Sequence, residues 1–189
     1  MKNSDFITGD VPITKEEVRA ISINKLNLKD KKTFLDIGAG TGSVSVEVAY
    51  NYPHIEVISI ECKEKAIELI NKNIEKFKLD NINVIKGYAP IDIDNKVDSI
   101  FIGGSGPNLK EILEWSKINL NEGGTLVANF IIIDTFYKTL NLLRELGFEN
   151  IEASVLNVAK LEKLGKGEYF KPLNPIYIIS CKKGEKDYE

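Results

Sequence analysis

Cysteine and histidine are almost missing from this 189-residue chain, which carries only Cys62, Cys181 and His54. Two thiols cannot make a disulfide framework, and with one imidazole they spell no metal-ligand cluster. Zinc chemistry and histidine-based triads are therefore excluded, and no metal is expected. Arginine is scarce too: of 25 basic residues only Arg19 and Arg144 carry a guanidinium. An anionic ligand has to rely on lysines and backbone amides instead of bidentate clamps. No run approaches the ~18 consecutive apolar residues of a spanning helix, and residues 1–12 hold no apolar stretch of the secretory kind. A cytoplasmic location with no membrane partner is the expectation. The net charge of -3 argues against affinity built on blanket phosphate neutralisation, so no nucleic-acid partner is expected.

What remains is an ordinary globular composition, 43% hydrophobic and 28% charged, which removes support for disorder or a coiled coil. The length suits a single domain over residues 1–189, at roughly 100 to 200 residues per domain. Thr14-Lys15-Glu16-Glu17 spells a capping box ahead of Val18, Ile21 and Leu26, so a helix is expected to start at Thr14. Residues 1–13 then form an N-terminal arm, and the polar residues 182–189 a frayed tail.

Between these ends the pattern alternates. Short apolar runs at 33–37, 55–60, 82–86 and 97–102 read as strands, and helical periodicities occupy 43–52, 63–77 and 108–120. A turn at Asn121-Glu122-Gly123-Gly124 precedes an expected strand 125–133 and a helix 135–146 closed by Gly147. The rhythm then breaks: strand 151–159 is followed by a charged loop, 160–174, and a last strand, 176–181. Without a crossover helix that last strand is expected to run antiparallel to its neighbour. The whole reads as an α/β fold, a doubly wound, mostly parallel sheet of seven strands with an antiparallel C-terminal strand.

Leu35-Asp36-Ile37-Gly38-Ala39-Gly40-Thr41-Gly42 stands where a strand hands over to a helix, and glycines there let a ligand approach the backbone. Counting from Gly38, Ser43 occupies the place of the third glycine of a dinucleotide fingerprint. Gly-x-Gly-x-Gly after an Asp instead resembles the first motif of S-adenosylmethionine-dependent methyltransferases. Glu61 ends the next strand, where a carboxylate can accept from two ribose hydroxyls. Gly87-Tyr88-Ala89-Pro90 ends the strand after it and offers backbone groups and a small side chain to an adenine, or is a plain turn. Gly103, Gly104, Ser105 and Gly106 follow the fourth strand, where they either make room for a bulky flat ligand or form a tight turn. Neither an Asn/Asp-Pro-Pro-aromatic signature for nucleobase amines nor a cysteine nucleophile is present at that place. His54 is expected on the surface, Trp115 and Tyr137 in packing, and both cysteines in core or strand positions. The lysines of 160–168 fit either a solvated loop or an anion-binding lid.

Val11-Pro12-Ile13-Thr14-Lys15-Glu16-Glu17-Val18-Arg19, the Asp36 to Gly42 segment, Gly103-Gly104-Ser105-Gly106 and Asn174-Pro175, in that order, closely resemble one family. It is the stand-alone, decarboxylating precorrin carbon-15 methyltransferases of cobalamin biosynthesis, and the likeness runs from about Gly9 to Ile179. The resemblance implies the class I methyltransferase fold, S-adenosylmethionine as methyl donor, a cobalt-precorrin (cobalt-precorrin-6B) as tetrapyrrole substrate, and loss of CO2 from the carbon-12 acetate. It also implies a homotetramer. By matching motifs, cofactor contacts fall on Thr14, Asp36, Gly38, Ala39, Gly40, Thr41, Gly42, Glu61 and Ala89. Substrate contacts fall on Gly103, Gly104, Ser105, Gly106 and Lys160. Lysines stand in the 160–171 loop where related sequences often show arginine. The proton donor is not readable. An RNA or other small-molecule methyltransferase, or a cofactor-binding module without turnover, are the alternatives.

Overall fold

The computed structural model describes residues 1–184. Seven strands form one sheet in the order β3-β2-β1-β4-β5-β9-β6, comprising β1 (Thr33–Ile37), β2 (Glu56–Glu61), β3 (Ile82–Lys86), β4 (Val97–Ile102), β5 (Leu120–Phe130), β6 (Phe148–Leu156) and β9 (Ile176–Lys183). The pairs among β1 to β5 are parallel, whereas β9 lies between β5 and β6 and runs antiparallel to both. That is the expected topology. Successive residues of a strand point to opposite faces, so each central strand feeds two cores. Phe34, Val57, Phe101, Val127 and Ile178 join Val18, Leu26, Val44 and Val48, the inward residues of α1 (Glu16–Leu26) and α2 (Ser43–Asn51). Leu35, Ile100, Leu126 and Ile179 join Ile112, Leu113, Phe136 and Leu143 from α4 (Leu109–Asn119) and α5 (Ile133–Glu145). Burial on both faces explains why the strands read as continuous apolar runs. The fifth helix, α3 (Glu64–Phe77), turns Ala66 and Ile70 inward beside α2 and β3.

Several expectations are corrected. Thr14 is not the N-cap of α1: Lys15 occupies that place, no side chain caps the helix, and the helix starts at Glu16. The box fails because both acids are engaged elsewhere, Glu16 with the Asn3 N–H and Lys160, and Glu17 with Lys160. The N-terminal arm is held against the helices. Asn73 of α3 clamps Ile7 through both backbone groups, and the guanidinium of Arg19, wholly buried, donates to Met1 O, Asn3 Oδ1 and Thr14 O. Glycines 123 and 124 do not end a turn before β5 but sit in an irregularity inside it: Val97 pairs with Leu120, and then Ser99 with Thr125. β5 stops at Phe130, so Ile131 and Ile132 leave the sheet with exposed side chains.

The 160–174 segment is not a loop but a hairpin, β7 (Ala159–Leu164) and β8 (Gly167–Pro172), whose strands pair with no other strand among the described residues. Its isolation from the main sheet leaves Leu161, Leu164 and Phe170 exposed. Lys182 and Lys183 belong to β9 and are not frayed, the Lys183 amine donating to Leu120 O at 2.8 Å and pairing with Glu122. Residues 185–189 of the expected tail lie outside the described residues. Tyr137 is 56% exposed instead of packed, while Trp115 packs on the core and His54 is on the surface, as expected.

Candidate active site

β1 has β2 on one side and β4 on the other, so the chain's strand order changes direction there. Loops leaving neighbouring strands at such a point diverge to opposite faces and open a crevice at the carboxyl ends. Two adjoining chambers occupy it, one of about 420 Å³ and one of about 220 Å³. Pro12, Gly38, Gly40 and Gly103 line both, so the glycine loop and the N-terminal segment form their common wall. That loop is packed backbone to backbone against the one after β4. Gly103 N donates to Ile37 O at 2.9 Å, and a Cβ on Gly38 would lie 2.6 Å from Gly104 O.

Glu61 closes the larger chamber from the end of β2. Its Oε2 accepts from Gly40 N at 2.8 Å, and its Oε1 accepts from the amides of Cys62 and Lys63 at 2.9 Å. One carboxylate thus ties the glycine loop to the start of α3 and, though only 6% exposed, still faces the chamber. Ala89, equally dry, lies across from it, with Tyr88 standing 71% exposed at the rim. Gly103 to Asn108 complete this chamber. Added Cβ atoms at Gly104 and Gly106 would meet nothing within 4 Å, so the loop presents bare backbone to open space.

Asp36 reaches the smaller chamber from β1. Its Oδ2 accepts from Ser45 Oγ at 2.5 Å, and its Oδ1 has no hydrogen-bond partner. Burial pushes this carboxyl up to about 7, hydrogen bonding from the Ser45 hydroxyl and then from its backbone pulls it down, and the charge of Glu61 adds to the rise. Thr14, Ala39 and Thr41 line the same space, with Lys15, Phe101 and Asn129. The Thr14 hydroxyl makes no hydrogen bond among the described residues, whereas its carbonyl is held by Arg19 at 2.6 Å.

Two expected site residues stand outside both linings. Gly42 is the left-handed N-cap of α2, where a Cβ would press on Ile70 at 3.0 Å, so it serves helix packing. Lys160 lies on the hairpin with its amine bound to Glu16 and Glu17, and the hydrogen bond it donates to Glu17 raises its pKa. Cys62, expected in core or strand, instead lines the larger chamber, while Cys181 is buried in β9 with its thiol pushed up to about 12. Sequence reading passed over Asn129, Phe130 and Ile131, which follow the expected core pattern of β5 and only by the strand's early end come to line the cleft.

A doubly wound sheet of this order, with a glycine loop at its switch point and an acid at the next strand end, is the fold of class I S-adenosylmethionine-dependent methyltransferases. Residues 5–183 match the model of the precorrin methyltransferase domain, and the chain belongs to that family. It is 40% identical over 186 residues to the cobalt-precorrin-6B C(15)-methyltransferase (decarboxylating) of Salmonella typhimurium, covering 98% of this chain and 97% of the relative. A probable enzyme of the same name from Saccharolobus solfataricus is 41% identical over 182 residues, covering 94% and 90%. Among solved structures, the precorrin-6y C5,15-methyltransferase of Geobacter metallireducens superposes with a TM-score of 0.90 at 34% identity, each chain covered to 97%.

Proposed function

We propose that this chain is a decarboxylating methyltransferase that moves the methyl group of S-adenosylmethionine to carbon-15 of cobalt-precorrin-6B, with release of the carbon-12 acetate carboxyl as CO2, in cobalamin biosynthesis. The observation that carries the reading is a two-chambered cleft of cofactor dimensions in a chain that matches the carbon-15 relatives end to end. When bound, S-adenosylmethionine supplies an electrophilic methyl group on a sulfonium. The residues present suit it. Glu61, whose Oε1 is taken by the Cys62 and Lys63 amides, keeps the second lone pair of Oε2 for a ribose hydroxyl, and Ala89 leaves room for a flat base. The unpartnered oxygen of Asp36 suits an ammonium, while the Thr14 hydroxyl suits the other end of the amino-acid portion; the amides of Gly38 and Ala39 are spent on Ile60 O and that of Gly40 on Glu61, so they fix the loop.

For the acceptor, Gly103, Gly104, Ser105 and Gly106 offer backbone without side-chain bulk, and Phe130 and Ile131 an apolar edge. Holding two reactants in near-attack geometry is worth roughly 7 to 11 kcal/mol, so alignment carries the transfer without a protein nucleophile. The electron pair left by CO2 is taken up by the conjugated tetrapyrrole, which is then protonated. The same reading makes the chain one cytoplasmic methyltransferase domain. Self-association into a tetramer belongs to it as well, since the β7–β8 hairpin offers Leu161, Leu164 and Phe170, and β6 offers Val155, as apolar surface that an oligomer contact would cover.

Incubation with the cobalt-precorrin and S-adenosylmethionine is expected to release one CO2 per S-adenosylhomocysteine, read by mass spectrometry of the product. Methyl gain without carboxyl loss would assign the decarboxylation elsewhere, and transfer to RNA but not to the tetrapyrrole would overturn the reading. Light scattering on the same sample reads the assembly. Thr14→Ala separates the two parts once assignable to that residue: with no cap to lose, its melting should stay within about 0.5 kcal/mol of the parent. Its affinity for S-adenosylhomocysteine should nevertheless drop severalfold in calorimetric titration. A destabilised variant with unchanged affinity would reverse that assignment.

A further inference from the structure

Asp36 and Ser59 are register partners on the adjacent strands β1 and β2, so their side chains rise on the same face of the sheet, under α2. Ser45, in the first turn of α2, meets both. Ser59 Oγ donates to Ser45 Oγ at 2.8 Å, and Ser45 Oγ donates to Asp36 Oδ2 at 2.5 Å. Both serines are fully buried and Asp36 is 1% exposed, so no bulk water competes for these groups. The chain of hydroxyls is directional: each donates toward the carboxyl, and it ends on one oxygen. The other oxygen, Oδ1, is left unpartnered in a residue that lines the smaller chamber. Apolar side chains of similar size would fill this place without polar groups to satisfy, so packing does not account for two hydroxyls aligned on a buried acid.

We propose that Ser45 and Ser59 are positioning residues that hold Asp36 by Oδ2 and leave the buried Oδ1 without a partner, so that the chamber takes the ammonium end of S-adenosylmethionine as Asp36 gives up its proton. The proposal rests on the cofactor reading above and adds to it a proton count and a residue pair. The proton leaves to solvent, and the ammonium takes its place at the carboxylate. Among the described residues, the charged groups facing Asp36 are Glu61 from β2, which opposes its ionisation, and Lys15, ahead of α1, which lines the same chamber; Phe101 of β4, Gly103 after it and Val44 of α2 line it without charge, and Ser45 of α2 meets Asp36 as a hydrogen-bond donor.

With its carboxyl near 7, Asp36 is mostly protonated in the free protein at pH 6 and mostly ionised at pH 8. Binding of a cation next to it must expel the proton at the lower pH and not at the higher. Titration of S-adenosylhomocysteine in two buffers of different ionisation enthalpy is therefore expected to show release of close to one proton at pH 6 and about none at pH 8. Affinity should climb by up to about tenfold per pH unit below neutrality and then level off. 5′-Methylthioadenosine, which lacks the amino-acid portion, should bind without proton release and with a flat pH profile.

Ser45→Ala removes the larger of the two Ser45 contributions that favour the ionised form, the side-chain hydrogen bond, so the pH at which affinity levels off should move upward while 5′-methylthioadenosine binding stays as it was. Ser59→Ala should move it in the same direction by less. A purely structural role for the serines would instead lower both affinities equally at every pH, and that outcome overturns the proposal. If Ser45→Ala does not fold, Ser59→Ala and the proton count on the unaltered protein decide. Tight S-adenosylhomocysteine binding with no proton release at pH 6 would reject the proposal and leave the cofactor reading standing, whereas no binding at any pH would reject that reading.

Discussion

Gly38→Ala is expected to abolish measurable cofactor binding and to destabilise the free protein, although it adds a single methyl group. That methyl would sit 2.6 Å from Gly104 O and 2.9 Å from Gly104 N, both of them backbone atoms with no rotamer to yield. Gly38 also has φ +71, a left-handed conformation that costs an L-residue roughly 1–2 kcal/mol. Overpacking adds about 1–3 kcal/mol. Relief can come only by separating the loop after β1 from the loop after β4, and these two loops are facing walls of the cleft. Gly40→Ala is the control, since its Cβ would meet only Pro12 O, at 3.7 Å. It shares the left-handed strain but not the overlap, so it should melt above Gly38→Ala. Thermal melts with and without S-adenosylhomocysteine separate the two variants. Equal binding by Gly38→Ala and the parent would place the cofactor elsewhere.

Arg19→Ala is expected to cost about 3–5 kcal/mol, the range for removing one partner of a buried ion pair. The guanidinium donates to Glu47 Oε2 at 2.5 Å, lies 4.8 Å from the centre of the Phe6 ring, and makes three further hydrogen bonds to the N-terminal segment. Without it Glu47, 7% exposed, keeps a charge answered among the described residues by the Met1 ammonium at 3.0 Å alone. For a chain of this length the loss corresponds to a fall of roughly 6 to 20 °C in melting temperature. Lysine should not restore it, because an ammonium cannot reproduce the planar fork. Cofactor affinity should fall too, since the Thr14 carbonyl is one of the three acceptors and Pro12 to Lys15 form a wall of the smaller chamber. A double-mutant cycle with Glu47→Gln checks the cause: the two changes together should cost clearly less than their sum.

The scarcity of arginine thus has a different meaning from the one composition suggested. It pointed to a site poor in anion clamps, and one of the two arginines turns out to be committed to holding the N-terminal segment against α1 and α2. Nothing in Val18-Arg19-Ala20 distinguishes a buried Arg from an exposed one, because its partners Glu47, Asn3 and Met1 are brought to it by helix packing. Thr14 shows the same limit from the other side. Its capping box is a local pattern, and long-range partners for Glu16 and Glu17 on residues 3 and 160 displaced it.

Runs such as Phe34-Leu35 and Ile100-Phe101-Ile102 were legible because both faces of a parallel sheet are buried, which leaves an unbroken apolar signature. The glycine loop and Glu61 were legible because strand-to-helix junctions place close-approach residues at fixed chain positions. The hairpin at 159–172 was not, since Lys-Leu-Glu-Lys-Leu and Glu-Tyr-Phe-Lys-Pro carry neither a long apolar run nor a clean alternation, and its strands satisfy each other alone. Ser45 and Ser59 were equally silent. Periodicity and motif spacing are properties of neighbouring residues, and they suffice for element order, parallel topology and the place of the cleft. Which polar atoms meet, and which single oxygen of Asp36 stays unpartnered, depends on side chains from separate elements arriving within hydrogen-bond distance, and that is a consequence of packing in three dimensions.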